Sequence, residues 1–206
     1  MPLPILYSER LCPYSLRARL ALKYAGINFE LREIDRNHLP EVVYQLSEQG
    51  TLPLLQLNAR DVLDDSLAIM HWALLKSDPD GWLDYEIDAL EEMQGLMHIN
   101  DNSFARDVMS YVHWQQGDRP RDACRKDCEL FLTGLEEHLE HGRFLFGDRV
   151  SQADFAILPF VYLFAAVKTE WFRAALYPNV WKWLDYHTQS PLFKGALGEA
   201  KMAAVT

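Results

Sequence analysis

The chain has 206 residues, 49% of them hydrophobic, with six Trp, nine Tyr and ten Phe. That is enough apolar material for one large domain or two small ones, and it excludes an intrinsically disordered chain. A formal net charge of −10 repels phosphate backbones, so nucleic acid is not expected as a partner.

Leu3 to Tyr7 reads as a short buried strand. The apolar run from Met1 is too short for a secretory h-region. After polar residues come Cys12 and Pro13, and Pro13 suits the first position of a helix, where a missing N–H costs nothing. Leu16, Leu20 and Tyr24 recur at helical spacing, and Gly26 is a C-terminal stop. Asn28 to Ile34 alternates like a strand, and Pro40 to Leu46 is a short helix. Thr51 to Leu57 is a strand with Pro53 at its start, where a proline costs no ladder bond. Arg60 to Leu63 is its hairpin partner through a turn near Asn58. Asp65 or Ser66 then caps a helix carrying Leu67, Met70, Trp72 and Leu74. The order β-α-β-α-β-β-α predicts a mixed sheet with helices over residues 1–77.

Ser77-Asp78-Pro79-Asp80-Gly81 marks a linker, placed at 78–84. Residues 85–206 read as an all-helical domain, with helices over Tyr85 to Asn100, Arg121 to His141, Ser151 to Val167 and Val180 to Thr188. Phe155 to Val167 is the longest apolar stretch; it is broken by Pro159 and too short to span a bilayer. Three Cys cannot all pair within one chain, and nothing suggests an oxidising compartment, so the expectation is cytoplasmic with no membrane partner. Cys124 and Cys128 lie one helical turn apart and read as core. His138 and His141 are too far along the same helix to complete a metal site with them, so no metal is expected. Ser151 and Asp154 read as a helix cap with a folding role.

Cys12 is the candidate nucleophile. Free N–H groups and the dipole at a helix start stabilise a thiolate, which predicts a lowered thiol pKa, with Arg10, Arg17 and Arg19 nearby in sequence. Ser15 stands where a second, resolving Cys could be, so a single thiol would need an external one to release a mixed disulfide. Tyr7 ends the first strand and is the competing candidate. A thiolate is far better populated than a phenolate at neutral pH, which favours Cys12.

Taken together, Cys12-Pro13-Tyr14-Ser15 with Arg17-Ala18-Arg19-Leu20-Ala21-Leu22, Gly50-Thr51-Leu52-Pro53-Leu54-Leu55, Leu63-Asp64-Asp65-Ser66-Leu67-Ala68-Ile69 and Gly147-Asp148-Arg149-Val150-Ser151-Gln152-Ala153-Asp154 resemble the cytosolic glutathione transferases. The likeness is greatest to the omega-like and bacterial types that carry a Cys at the first helix. The resemblance implies a thioredoxin-like domain followed by an all-helical C-terminal domain, glutathione as co-substrate, and a homodimer. It implies a glutathione site with Cys12 facing the sulfur, flanked by Pro13 and Tyr14. Leu52, before a cis Pro53, would pair with the tripeptide through its backbone. Asp65 would meet the γ-glutamyl ammonium, and Ser66 would hold the γ-glutamyl carboxylate. For the glycyl carboxylate the chain offers His38 or Arg36. Asp65 stands where a Glu is commoner, one methylene shorter. Thiol transfer through a Cys12–glutathione mixed disulfide is the favoured activity. Conjugation of glutathione to a small electrophile is the runner-up, and a non-catalytic regulatory or interaction protein of the same fold is the reading from another class.

Overall fold

The computed structural model describes residues 2–116, 118–167, 172 and 176–198. Contacts divide them into two units, one of residues 2–80 and 191–198, the other of residues 81–190.

In the first unit, strand β1 (Ile5–Ser8) leads into α1 (Pro13–Tyr24), which ends in a Schellman arrangement. Gly26 takes a φ of 66°, its N–H reaches Lys23 O at 3.1 Å, and the Ile27 N–H reaches Leu22 O at 3.0 Å. Next come β2 (Glu30–Glu33), a single 3-10 turn at Arg36–His38, α2 (Glu41–Leu46), β3 (Leu54–Gln56), β4 (Val62–Leu63) and α3 (Ser66–Lys76). The order β-α-β-α-β-β-α is the predicted one, and the architecture is thioredoxin-like. The sheet runs β2-β1-β3-β4. β1 pairs in parallel with β2, and antiparallel with β3. Leu6 and Leu55 are opposite each other and fully buried on one face. Tyr7 and Leu54 point to the other face, where Val43 of α2 closes a cluster with Ile5, Leu39 and Leu46.

The strands are shorter than their apolar patterns, for local reasons. β3 starts only after Pro53, and the Leu52–Pro53 bond is cis. β4 keeps two residues because the Asn58 side chain takes the Arg60 and Asp61 N–H groups at 2.8 and 3.0 Å, holding them in a turn. β2 is an exposed edge strand rather than a half-buried one. Its Arg32 donates to Glu30 at 2.8 Å and to the Tyr7 hydroxyl at 3.0 Å, and such a charged edge resists addition of another strand.

The helices of the second unit are α4 (Ile87–Ile99), α5 (Ala105–Val112), α6 (Arg121–Glu140), α7 (Gln152–Val167) and α8 (Pro178–Gln189). A π turn at Asn100–Phe104 joins α4 to α5, whereas the predicted helix ends at Asn100. Phe104 stacks on Phe131 of α6, with ring centroids 4.4 Å apart. α7 is buried on almost every face, and Trp82 stacks on its Phe155 at 4.1 Å. Cys124 and Cys128 are buried in the core. Asp154 is buried, and burial pushes its carboxyl up. It accepts from Ser151 N and Oγ, both at 2.8 Å, from Leu145 N at 3.0 Å and from Trp183 Nε1 at 2.7 Å. It thus closes the start of α7, as the Ser-x-x-Asp spacing suggests. No helix among the described residues is long and apolar enough to cross a membrane.

The last described helix, α9 (Pro191–Leu197), packs on α1 in the first unit, whereas the sequence reading places all of 85–206 with the helical domain. The anchor is Arg19, whose Nε donates to Ala196 O at 2.8 Å. The Tyr24 hydroxyl ties the start of the linker to α1, donating to Asp78 at 2.9 Å and accepting from Asp80 N at 2.8 Å.

His187 lies buried among Phe144, Phe155, Trp183 and Tyr186. Burial, and secondarily the charge of Arg143, push its pKa down to about 3. The unfolded chain protonates this ring as pH falls through 6.5, while the folded chain does so only near 3. The folded state therefore keeps its full stability above the upper value and loses it as pH drops toward the lower, by up to about 1.4 kcal/mol per pH unit. In urea melts across that window, His187→Phe is expected to remove this one-proton component from the slope of stability against pH. Equal slopes for variant and wild type would count against it.

Candidate functional site

Cys12 is the N-cap of α1, with extended backbone (φ −69°, ψ 125°), and its C=O accepts the first helical bond from Leu16 N at 2.9 Å. Pro13 at the first helical position lets the chain enter the helix without losing a bond. The sulfur makes no short capping hydrogen bond. The N–H groups of Ser15 and Tyr14 and the Ser15 hydroxyl nevertheless act on it and favour its thiolate. Ser15 Oγ is oriented by accepting the Glu9 N–H at 3.1 Å.

The net shift of the thiol reverses the sequence expectation. Cys12 is 7% exposed, and burial pushes its pKa up. The Glu9 charge adds to that rise, and together they outweigh the three lowering contacts. The neighbouring arginines are largely committed elsewhere. Arg10 pairs with Glu33 at 3.9 Å, and Arg17 donates to Ser66 Oγ at 3.0 Å. Arg19 attracts the thiolate, but its own pKa is pushed down to about 10 by burial, and its N–H groups go to Ser8 Oγ, Glu9 O, Arg10 O and Ala196 O.

A cleft of about 610 Å³ opens at this helix start, and it gathers Cys12, Tyr14, Leu52, Pro53, Asp65 and Ser66. Asp65 is the N-cap of α3, and its Oδ1 accepts the Ala68 N–H at 2.8 Å. Arg17, buried and 5.7 Å from the Tyr14 ring centroid, links the start of α1 to that of α3 through Ser66. Two helix N-termini thus open into one cleft, an arrangement suited to anionic groups. Leu52 makes no backbone hydrogen bond among the described residues, so its N–H and C=O are available to an extended peptide.

Two sequence candidates lie outside the cleft lining. Pro13 is buried beneath it. The side chain of His38 is 84% exposed, with Nδ1 2.9 Å from Asp35. Arg36, from the same turn, lines the cleft instead. Tyr7 is core, with its hydroxyl held between Arg32 and Gln56. Thr51 and Asp64, which stand inside the quoted motifs without a binding role, also line the cleft, as do Glu9, Tyr44 and Gln49. Glu9 and Gln49 lie three residues from Cys12 and Leu52, whereas Tyr44 is brought in by α2 with no such signal in the sequence. Among the described residues no group of three or more His, Cys, Asp or Glu is placed to hold a metal ion.

Residues 11–73 match the family described as glutathione S-transferase, N-terminal domain, and residues 118–185 match glutathione S-transferase, C-terminal domain. The chain is 25% identical over 152 residues to "Probable glutathione S-transferase DHAR1, cytosolic" of Oryza sativa subsp. japonica; the match covers 73% of this chain and 66%, just under two thirds, of that relative. It is 24% identical over 198 residues to glutathione S-transferase omega-1 of Mus musculus, covering 95% of this chain and 80% of the relative. A glutathione transferase family member from Pseudomonas fluorescens pf-5, solved with two glutathione bound, superposes with a TM-score of 0.81 at 17% identity, over 95% of this chain and 92% of that one.

Removing the Ser15 hydroxyl deletes one of the groups that favour the thiolate and leaves the two N–H groups in place. Ser15→Ala is expected to slow iodoacetamide alkylation of Cys12 several-fold at neutral pH and to move the pH midpoint upward. A midpoint that stays put or falls would contradict this.

Proposed function

This chain belongs to the cytosolic glutathione transferase superfamily, and from that premise we propose that it is a glutathione-dependent thiol transferase working through a Cys12–glutathione mixed disulfide. One observation carries the reading: Cys12 is the single thiol lining the cleft, at a helix start, with Ser15 in the place of a resolving thiol. Glutathione would supply the second thiol.

In this cycle the Cys12 thiolate attacks the glutathionyl sulfur of a mixed disulfide R–S–S–G. The Cys12–S–S–G bond forms, the S–S bond of R–S–S–G breaks, and the leaving R–S thiolate takes a proton from water. The thiolate of a second glutathione attacks the glutathionyl sulfur, oxidised glutathione departs, and the Cys12 thiolate is regenerated. Burial favours the protonated thiol. The Ser15 and Tyr14 N–H groups and the Ser15 hydroxyl are in position to receive the charge once the proton has left, which is electrostatic preorganisation. In the same reading Leu52 pairs with the tripeptide backbone and Asp65 meets the γ-glutamyl ammonium. Ser66 and the start of α3 hold the γ-glutamyl carboxylate. Arg36 takes the glycyl carboxylate rather than His38, because it lines the cleft. A reducing cytoplasm and a homodimer complete the proposal, in keeping with the family.

A second reading has one observation in its favour. The raised thiol pKa makes a neutral Cys12 S–H available as a hydrogen-bond donor to a bound glutathione thiolate, which suits conjugation to a small electrophile.

Intact-mass measurement after incubation with oxidised glutathione separates the two. Thiol transfer predicts one added glutathionyl group on the wild type and none on Cys12→Ser. An unmodified wild type would sink it. A Cys12→Ser variant that conjugates chlorodinitrobenzene as well as wild type or better would favour the second reading.

A further inference from the structure

The charge lining the cleft has a consequence for the partner of Cys12. Glu9 sits three residues before Cys12 in the turn between β1 and α1. Its backbone is fixed at both ends, the N–H on Ser15 Oγ at 3.1 Å and the C=O on Arg19 Nη1 at 3.2 Å. Its carboxylate lines the same cleft as the sulfur and already bears on the Cys12 charge. Its nearest cation is Arg36, a loose pair at 4.0 Å whose guanidinium side chain is 66% exposed. The other charged groups around it do not neutralise it. Arg10 turns to Glu33, Arg19 is buried with its donors on main-chain oxygens and Ser8, and Asp64 and Asp65 are further carboxylates on the cleft wall.

The lining side chains thus carry three carboxylates, Glu9, Asp64 and Asp65, against the single guanidinium of Arg36. In the thiol-transfer reading Asp65 and Arg36 are used by the ammonium and the glycyl carboxylate of glutathione. Glu9 is then left beside the reacting sulfur without a counter-charge.

We propose that Glu9 selects the second substrate, favouring disulfides that carry an ammonium or guanidinium next to the reacting sulfur over those that carry a carboxylate there. This rests on Cys12 being the exchanging thiol. The selective step is attack of the Cys12 thiolate on the glutathionyl sulfur of R–S–S–G, with the glutathione half in its site and R beside Glu9. A Cys12–S–S–G bond forms as the substrate S–S bond breaks, and the released R–S thiolate regains from water the proton that Cys12 gave up. A cation on R finds the Glu9 carboxylate, whereas an anion on R is repelled by it, and discrimination by such repulsion is as effective as added attraction.

The test uses the reduced full chain and three mixed disulfides of glutathione, whose second thiol is cysteamine, mercaptoethanol or mercaptopropionate. Adduct formation on Cys12 is followed by intact mass. Dividing each rate by that of the neutral disulfide removes any change in thiolate fraction, and comparing variant with wild type removes intrinsic differences among the reagents. The ratio of the cysteamine to the mercaptopropionate mixed disulfide is expected to fall about tenfold in Glu9→Gln and to fall further in Glu9→Lys. A ratio unmoved in both variants overturns the role of Glu9 while leaving thiol exchange intact. Absence of an adduct from all three disulfides overturns the thiol-exchange reading itself, and the proposal with it.

Discussion

A buried guanidinium holds the reactive end of this protein together. The Arg19 side chain satisfies three main-chain carbonyls, Glu9, Arg10 and Ala196, and the hydroxyl of Ser8. Of these oxygens, Ala196 O and Ser8 Oγ are buried and would otherwise face the interior unpaired, at a cost of roughly 1–3 kcal/mol apiece. Although burial pulls its pKa down to about 10, Arg19 stays charged at neutral pH. The turn that carries Glu9 and ends at Cys12 is therefore fastened to the side of α1, and α9 is fastened to the same side chain. Lysine could not replace it, because one ammonium cannot span four acceptors laid out around a planar fork.

The chemistry of the cleft follows from a contest that helix starts usually win and here lose. Ser15, Tyr14 and the Ser15 hydroxyl pull the thiol toward ionisation, while burial and Glu9 push the other way and prevail. A thiol that burial keeps protonated is shielded from indiscriminate reaction with small oxidants, since the thiolate is the nucleophile. The same economy appears at α3, where Asp65 caps the helix through Oδ1 and still lines the cleft.

Sequence was informative where the physics is local. Cys12-Pro13 at a helix start, Gly26 in a left-handed stop and Asp65 as a cap each depend on neighbours within a few residues, and each is visible as a short pattern. The cis bond at Pro53 was available only through likeness to a family. What stayed hidden depends on distant packing. The direction of the Cys12 shift is set by burial, which no spacing records. His38 and Arg36 share one turn, and only the direction of each side chain separates them. The predicted helix ends at Asn100, yet a π turn carries the chain on into α5, with Phe104 stacked on Phe131. Pro191 and Gly195 disguise α9, whose position is set by its packing on α1 and by the bond from Arg19.

That bond has a temporal side. Ala196 lies 177 residues beyond Arg19, so a growing chain emerges from the ribosome with its thiol turn already made but its last fastening not yet synthesised. Closing a loop of that length costs chain entropy before the contact rewards it. A nascent or prematurely terminated chain therefore carries Cys12 in a turn that lacks one of its supports, and the finished setting of the thiol belongs only to chains translated through α9.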